Sequence, residues 1–456
     1  MLFERIISEG LAHYSYLIGE GVGALVIDPR RDCAVYEEVA SKHGYRIEHI
    51  LETHRNEDYV IGSVELASRT GAEIWHADPQ LAYKYGQSVK DGQTWKIGRF
   101  KIQAIHSPGH TPGSMSYLLF DRGGEPWVIF TGDALFAGDV GRVDLPGVER
   151  TEEMAGLLFD TLFNKLLPLG DDVIVCPGHG AGSVCGASIA DKPWTTIGLE
   201  KRLNPKLQFT DRDEFVLQTA QILERPPYFR QMEILNIEGA PLLGALPVPI
   251  PLSPGDFDDA IEGLHVLDTR MELGFSTAHV PGALSIWLEG LPGFAGWFLH
   301  HERPIFLVNE TDDSTLAVRY LVRLGFDELA GVLSGGMLAW HTAGMRSASV
   351  ETVTVHELCR LLDRGEKVTI LDVRGEEEID SAGRIAGAVH IHITQLPYSL
   401  DEVPKKERVF IFCGSGLRSM IAASILKMEG LAEPVVILGG LSGWSSTVCP
   451  VQIREE

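Results

Sequence analysis

The second half of the chain repeats itself. "LDTR" at 267–270 recurs as "LDVR" at 371–374, an offset of 104, and "HVPGALSI" (279–286) recurs as "RIAGAVHI" (384–391), an offset of 105. "PIFLVN" (304–309) matches "RVFIFC" (408–413), and Gly335, Gly336 and Trp340 match Gly439, Gly440 and Trp444, again at 104. Matches held at offsets of 104 and 105 over about 80 residues indicate a duplicated unit. Each copy alternates short apolar runs with helical stretches, so each is expected to be an α/β domain of about 100 residues. That pair leaves roughly the first half of the 456 residues to a different domain.

In residues 1–236, "SYLIGEGVGALVIDP" reads as two strands around a Gly turn. "RFKIQAIHSPGH", "PWVIFTGDALF" and "DVIVCPGHG" read as strands ending in loops, while "VYEEVASKHG" and "MAGLLFDTLFNKLLPLG" have helical spacing. His54, His110, Asp133 and His179 all fall just past strand ends, where α/β folds place their chemistry. The Pro-rich "GAPLLGALPVPIPLSPGD" (239–256) then reads as an extended segment. The expected division is 1–236, a linker 237–254, a first copy 255–347 and a second copy 352–456.

Lys+Arg 39 against Asp+Glu 63 gives a net charge of −24, which repels phosphate backbones and anionic lipid. Neither nucleic acid nor a membrane is expected as a partner. No uninterrupted apolar run reaches the length of a membrane span, about 18 residues. The N-terminus carries charge at Glu4, Arg5 and Glu9, unlike a signal peptide. Six cysteines with no C-x-x-C suggest reduced thiols and a cytoplasmic protein.

In the second copy, strand "RVFIF" runs into "CGSGLRS" and then the helical "MIAASILKMEG". A Cys at a strand end, before a Gly loop that opens a helix, suits a thiolate. Loop and helix-start N–H groups point at the sulfur, and Arg418 adds positive charge. With "LDVR" before it and "GG...GW" after it, this loop resembles the rhodanese family of sulfurtransferases. The resemblance implies that Cys413 carries sulfane sulfur as a persulfide, with Gly414, Ser415, Gly416, Leu417, Arg418 and Ser419 around the anion. A buried structural Cys is the competing reading, and it is the one that suits the other five cysteines. The first copy has Asn309 at the matching position, followed by Glu310, Asp312 and Asp313, so it resembles an inactive rhodanese. Its expected role is to hold the active domains or to make oligomer contacts.

"THRNEDY" (from Thr53), "SPGHTPGS" (His110), "FTGDALF" (Asp133) and "CPGHG" (His179) follow the order of the metallo-β-lactamase superfamily, whose first loop is T-H-x-H-x-D-H. The resemblance implies an αββα sandwich, giving an α/β chain with two rhodanese-like domains after it. Asn56 and Tyr59 stand where that superfamily has histidines. An amide is a poor replacement for imidazole, and a phenol ligates well only when ionised, with a pKa of about 10. What survives is His54, His110 and Asp133, two imidazoles and a carboxylate, the ligand set that leaves open positions on non-haem Fe(II). Asp58, His179 and Arg142 (in "GRVDL") are candidates for orienting ligands or contacting substrate.

The whole order resembles bacterial persulfide dioxygenase–rhodanese fusions. It implies one Fe(II) per chain and three small-molecule classes: a thiol persulfide, O₂ and sulfite or thiosulfate. A homo-oligomer is implied as well. Two rival readings remain open. One is a two-metal thioester hydrolase of the glyoxalase II kind; the other is a sulfurtransferase with a non-catalytic N-terminal domain.

Overall fold

Residues 1–186, 188–192, 194–405, 408–444 and 453–454 are described by the computed structural model of the chain. Near the N-terminus, Leu2–Ser8, His13–Glu20, Gly23–Ile27, Arg46–Leu51, Glu73–His76 and Gln87–Ser88 form one six-stranded sheet in sequence order. Thr94–Ile97, Phe100–His106, Met115–Phe120, Pro126–Gly132, Ile174–Pro177 and Thr195–Thr196 form a second, also in order. Side chains alternate in facing, as the strand period of two requires. Ile18, Leu25 and Ile27 of the first sheet share a core with Ile102, Tyr117, Leu119 and Phe130 of the second.

Their neighbours Leu17, Ala24 and Val26 face outward, onto Tyr36 and Ala40 of helix Ala34–Lys42 and Leu66 of helix Ser63–Thr70. On the second sheet, Leu118, Ile129 and Val175 pack against Met154, Ala155 and Leu158 of helix Thr151–Thr161. The result is the expected αββα sandwich. One expected helix is divided: after Thr161 the chain continues as a π turn, Leu162–Leu166, and a 3₁₀ turn, Leu167–Leu169.

The duplicated modules have one topology. In the first copy the strand order is Ile250–Leu252, Leu329–Leu333, Ile305–Val308, His265–Asp268, Leu284–Ser285. In the second it is Glu351–Thr354, Glu433–Leu438, Arg408–Phe412, Thr369–Asp372, Val389–His390, and both sheets are parallel throughout. The end of the Pro-rich stretch is therefore structural. Ile250–Leu252 is an edge strand on Leu329–Leu333, and Ser253 caps helix Pro254–Ala260. Pro251 fits because an edge strand does not need every N–H.

Helix Phe229–Glu238 likewise runs past residue 236. The chain divides into two compact units, Met1–Leu246 with Val322–Gly325, and Pro247–Leu321 with Phe326–Glu456. Cys33, Cys176, Cys185 and Cys413 are free and buried. Cys359 is disulfide-bonded, which corrects the expectation of reduced thiols throughout, and Cys449 lies outside the described residues. No helix among the described residues is long and apolar enough to cross a membrane.

Candidate functional site

The loops after strands Arg46–Leu51, Phe100–His106, Pro126–Gly132 and Ile174–Pro177 bring His54, His110, Asp133 and His179 together, each at most 2% exposed. The backbone makes room for them through glycine. A Cβ at Gly178 would sit 2.5 Å from Asp133 Oδ1, and one at Gly141 would sit 1.8 Å from Asp133 O.

Second partners orient both imidazoles. Thr53 Oγ1 donates to Asp28 Oδ2 at 2.7 Å, so its lone pair receives His54 Nδ1–H at 2.8 Å. His110 Nδ1–H donates to the Arg142 carbonyl at 2.8 Å. Each ring therefore presents a bare Nε2 lone pair, and both Nε2 atoms are buried without a partner. They lie 3.9 Å (His54) and 3.6 Å (His110) from Asp133 Oδ2. Burial lowers both pKa values, His54 to about 3, and so favours the neutral form of each ring. Burial also opposes a charge on Asp133, yet His179 beside it holds the carboxyl below the ordinary carboxylate range. Two lone pairs and an anionic oxygen thus converge, an arrangement that a cation stabilises.

His179 donates through Nδ1 to Asp133 Oδ1 at 2.8 Å and through Nε2 to Asp58 Oδ2 at 2.9 Å. Against the cost of burial, the two carboxylates raise its pKa well above the ordinary histidine value. Asp58 and His179 thus meet Asp133. The Arg142 side chain does not: its guanidinium is 2% exposed and doubly bonded to Asp144, at 2.7 Å to each oxygen, and only its carbonyl serves His110. Asn56 donates its amide to the His54 carbonyl at 3.3 Å. Tyr59 packs against His13 with ring centroids 4.0 Å apart and planes tilted by 33°, and burial raises its pKa well above 10, so it stays a neutral phenol.

Two residues at this site escape a reading by sequence motif. A Glu57 oxygen lies within 4.8 Å of ring nitrogens of His54 and His110. Burial pushes the Glu57 carboxyl up to about 8. Cys185 Sγ is comparably close to ligand atoms of Asp58 and His179, and of His110 and Asp133. Glu57 occupies a variable position of the first loop, and Cys185 belongs to none of the four motifs. Beside Glu57 opens a cavity of about 380 Å³, lined by Arg55, Asp78, Thr111, Leu145, Arg150 and Arg225 among others.

The second candidate centre is the loop after strand Arg408–Phe412. Cys413 is fully buried, and Gly416 N–H donates to its sulfur at 3.1 Å from the start of helix Leu417–Met428. Gly416 needs its freedom there, with φ +118. Of the expected cradle, Gly414 and Leu417 are half-buried and Ser415 is exposed, while Ser419 is buried with Oγ unpartnered. Arg418 is held by Glu378, with Nη2 donating to Oε1 at 2.6 Å, a partner the motif does not reveal.

In the first copy Asn309 ends strand Ile305–Val308 and accepts from Thr269 Oγ1 at 2.8 Å. Arg270 grips Asp268 just as Arg374 grips Asp372, so the frame is kept while Asn309 stands where the second copy has Cys413. Strand Leu284–Ser285 of this copy meets helix Leu417–Met428 of the other, where Ser285 N–H donates to Ser424 Oγ at 3.1 Å.

Residues 9–179 match the Metallo-beta-lactamase superfamily, and residues 253–343 and 354–447 each match the Rhodanese-like domain. The hydroxyacylglutathione hydrolase GloC of Haemophilus influenzae is 30% identical over 205 residues, 40% of this chain and 87% of that protein. The human mitochondrial persulfide dioxygenase ETHE1 is 28% identical over 206 residues, 44% of this chain and 74% of the relative. A crystal structure of a metallo-beta-lactamase from Staphylococcus aureus is 30% identical with a TM-score of 0.64, covering 73% of this chain and 98% of that one. The chain therefore belongs to the metallo-beta-lactamase superfamily, as a fusion of a domain homologous to ETHE1 with two rhodanese-like domains.

Proposed function

We propose that the N-terminal domain oxidises the sulfane sulfur of a low-molecular-weight thiol persulfide, and that Cys413 transfers sulfane sulfur in the same pool. The first reaction is RSS⁻ + O₂ + H₂O → RSH + SO₃²⁻ + H⁺. The second is Cys413–SS⁻ + SO₃²⁻ → Cys413–S⁻ + S₂O₃²⁻, or its reverse. The observation that carries the reading is the pair of orphaned Nε2 lone pairs facing Asp133 Oδ2. Two imidazoles and one carboxylate are the donors for one Fe(II) per chain, which when bound would supply open positions for a persulfide sulfur and O₂.

The chain's own residues do the rest. Thr53 and the Arg142 carbonyl fix the ring orientations. His179 keeps a proton between Asp133 and Asp58. Arg55, Arg150 and Arg225 line the cavity together with Glu57, Asp78 and Glu233, and each of these arginines is paired with a carboxylate. The ETHE1 relative, named a persulfide dioxygenase, supports the same chemistry. In the second domain, the Gly416 N–H and the helix start favour sulfur-borne negative charge on Cys413.

A second reading draws on the cluster of Asp58, His179 and Cys185, which has the donor types for a further, softer ion and so for a two-metal hydrolase like the GloC relative. Paired variants separate the activities. Cys413→Ser is expected to keep persulfide-dependent O₂ uptake and to lose thiosulfate formation, and Asp133→Ala to do the reverse. If Cys413→Ser abolished O₂ uptake, the two sites would not be separable and the reading would fall.

A further inference from the structure

Among the described residues, Glu57 is a carboxylate that borders both the candidate metal site and the cavity. It lies in the loop between strand Arg46–Leu51 and helix Ser63–Thr70 and is 2% exposed. Its Oε1 accepts from Arg55 Nη2 at 2.6 Å, and Arg55 in turn reaches Glu233 of helix Phe229–Glu238 at 2.7 Å. That tether holds the carboxylate by Oε1.

A Glu57 oxygen and ring nitrogens of His54 and His110 lie within 4.8 Å of one another. Two ligands bonded at about 2.0–2.2 Å span at most about 4.4 Å across an ion, so small shifts would close this set on one metal. We propose that Glu57 supplies a carboxylate oxygen to the metal held by His54, His110 and Asp133, as a fourth protein ligand on the cavity side. The inference rests on the dioxygenase reading and refines its metal site.

Its consequences are chemical. Two carboxylates neutralise a divalent ion, whereas one leaves it with a positive charge. With Glu57 as a fourth protein donor, a bound Fe(II) would keep fewer open positions for persulfide sulfur and O₂ than three donors leave. The superfamily positions lost at Asn56 and Tyr59 are then partly replaced from within the same loop.

The test is anaerobic binding of Fe(II) alone to the full-length chain, by competition with a chelating dye. It is read together with the electron paramagnetic resonance spectrum of the nitric oxide adduct. Glu57→Ala is expected to weaken Fe(II) at least tenfold and to change the rhombicity of that spectrum. Glu57→Gln, which keeps the volume, is expected to shift both in the same direction by less. Arg55→Met is expected to keep the wild-type spectrum. If Glu57 only anchored Arg55, Arg55→Met would reproduce Glu57→Ala, and the proposal would be overturned. Wild-type affinity and spectrum in both Glu57 variants would overturn it while leaving the dioxygenase reading intact. A wild-type chain that binds no iron would overturn both.

Discussion

At the scale of the residue, the N-terminal centre is defined by which atoms lack partners. His54 and His110 each spend Nδ1 on a fixed acceptor and leave Nε2 bare. Thr53→Val removes the acceptor of His54 Nδ1–H, and Fe(II) affinity is expected to fall about 10–100-fold in a metal titration, the usual effect of losing an orienting partner. In the rhodanese domain, the hydrogen bond from Arg418, against the cost of partial burial, holds Glu378 below the ordinary carboxylate range. A lowered folded pKa means that the pair's contribution is complete above the unfolded value of 4.5 and is lost as pH falls through the folded one. The stability gap between wild type and Glu378→Gln, measured by denaturant unfolding, is thus expected to shrink as pH drops below that value. Motifs mark His54, His110, Asp133 and Cys413 because contiguous loops carry them. Cys185 and Glu378 are joined to those residues only by tertiary folding, and Glu57, which shares the His54 loop, meets His110 only through it, so the sequence offers no comparable signal.

At the scale of the element, strands and turns were the readable part. The hairpin of His13–Glu20 with Gly23–Ile27 and the strands ending before Asp133 and Cys413 follow from apolar runs bounded by turn residues. The Pro-rich stretch conceals strand Ile250–Leu252, because proline suggests a break and only the partner strand Leu329–Leu333 reveals a sheet edge. The divided helix after Thr161 is equally local, with Pro168 in its final turn. The repeat carried more, since offsets of 104 and 105 predicted two modules and the structure gives both the same strand order. Within that frame, Gly440 lets the helix Gly440–Trp444 start against the Cys413 loop. A Cβ there would stand 2.1 Å from the Cys413 carbonyl, at φ +45. Gly440→Ala is therefore expected to reduce Cys413-dependent thiosulfate formation at least tenfold while Fe(II) binding is unchanged, as sulfite-dependent kinetics and metal titration would show.

At the scale of the whole molecule, the chain couples a metal-type site and a thiol site that would share persulfide and sulfite, and joining them in one chain raises the local concentration each sees. Metal should stabilise only the unit that binds it. Anaerobic Fe(II) at 100 times its Kd is expected to add about 2.7 kcal/mol to the N-terminal unit. In calorimetry the transition of the rhodanese unit should stay where it was. The central claim is that the pared-down first loop, with Asn56 and Tyr59 in place of histidines, still serves a mononuclear iron dioxygenase. The most direct measurement is the metal content of the purified chain combined with O₂ uptake on addition of a thiol persulfide. About one iron per chain, with O₂ consumed only when persulfide is present and sulfite formed, is the predicted result. Two zinc ions per chain, cleavage of a glutathione thioester and no persulfide-dependent O₂ uptake would contradict it.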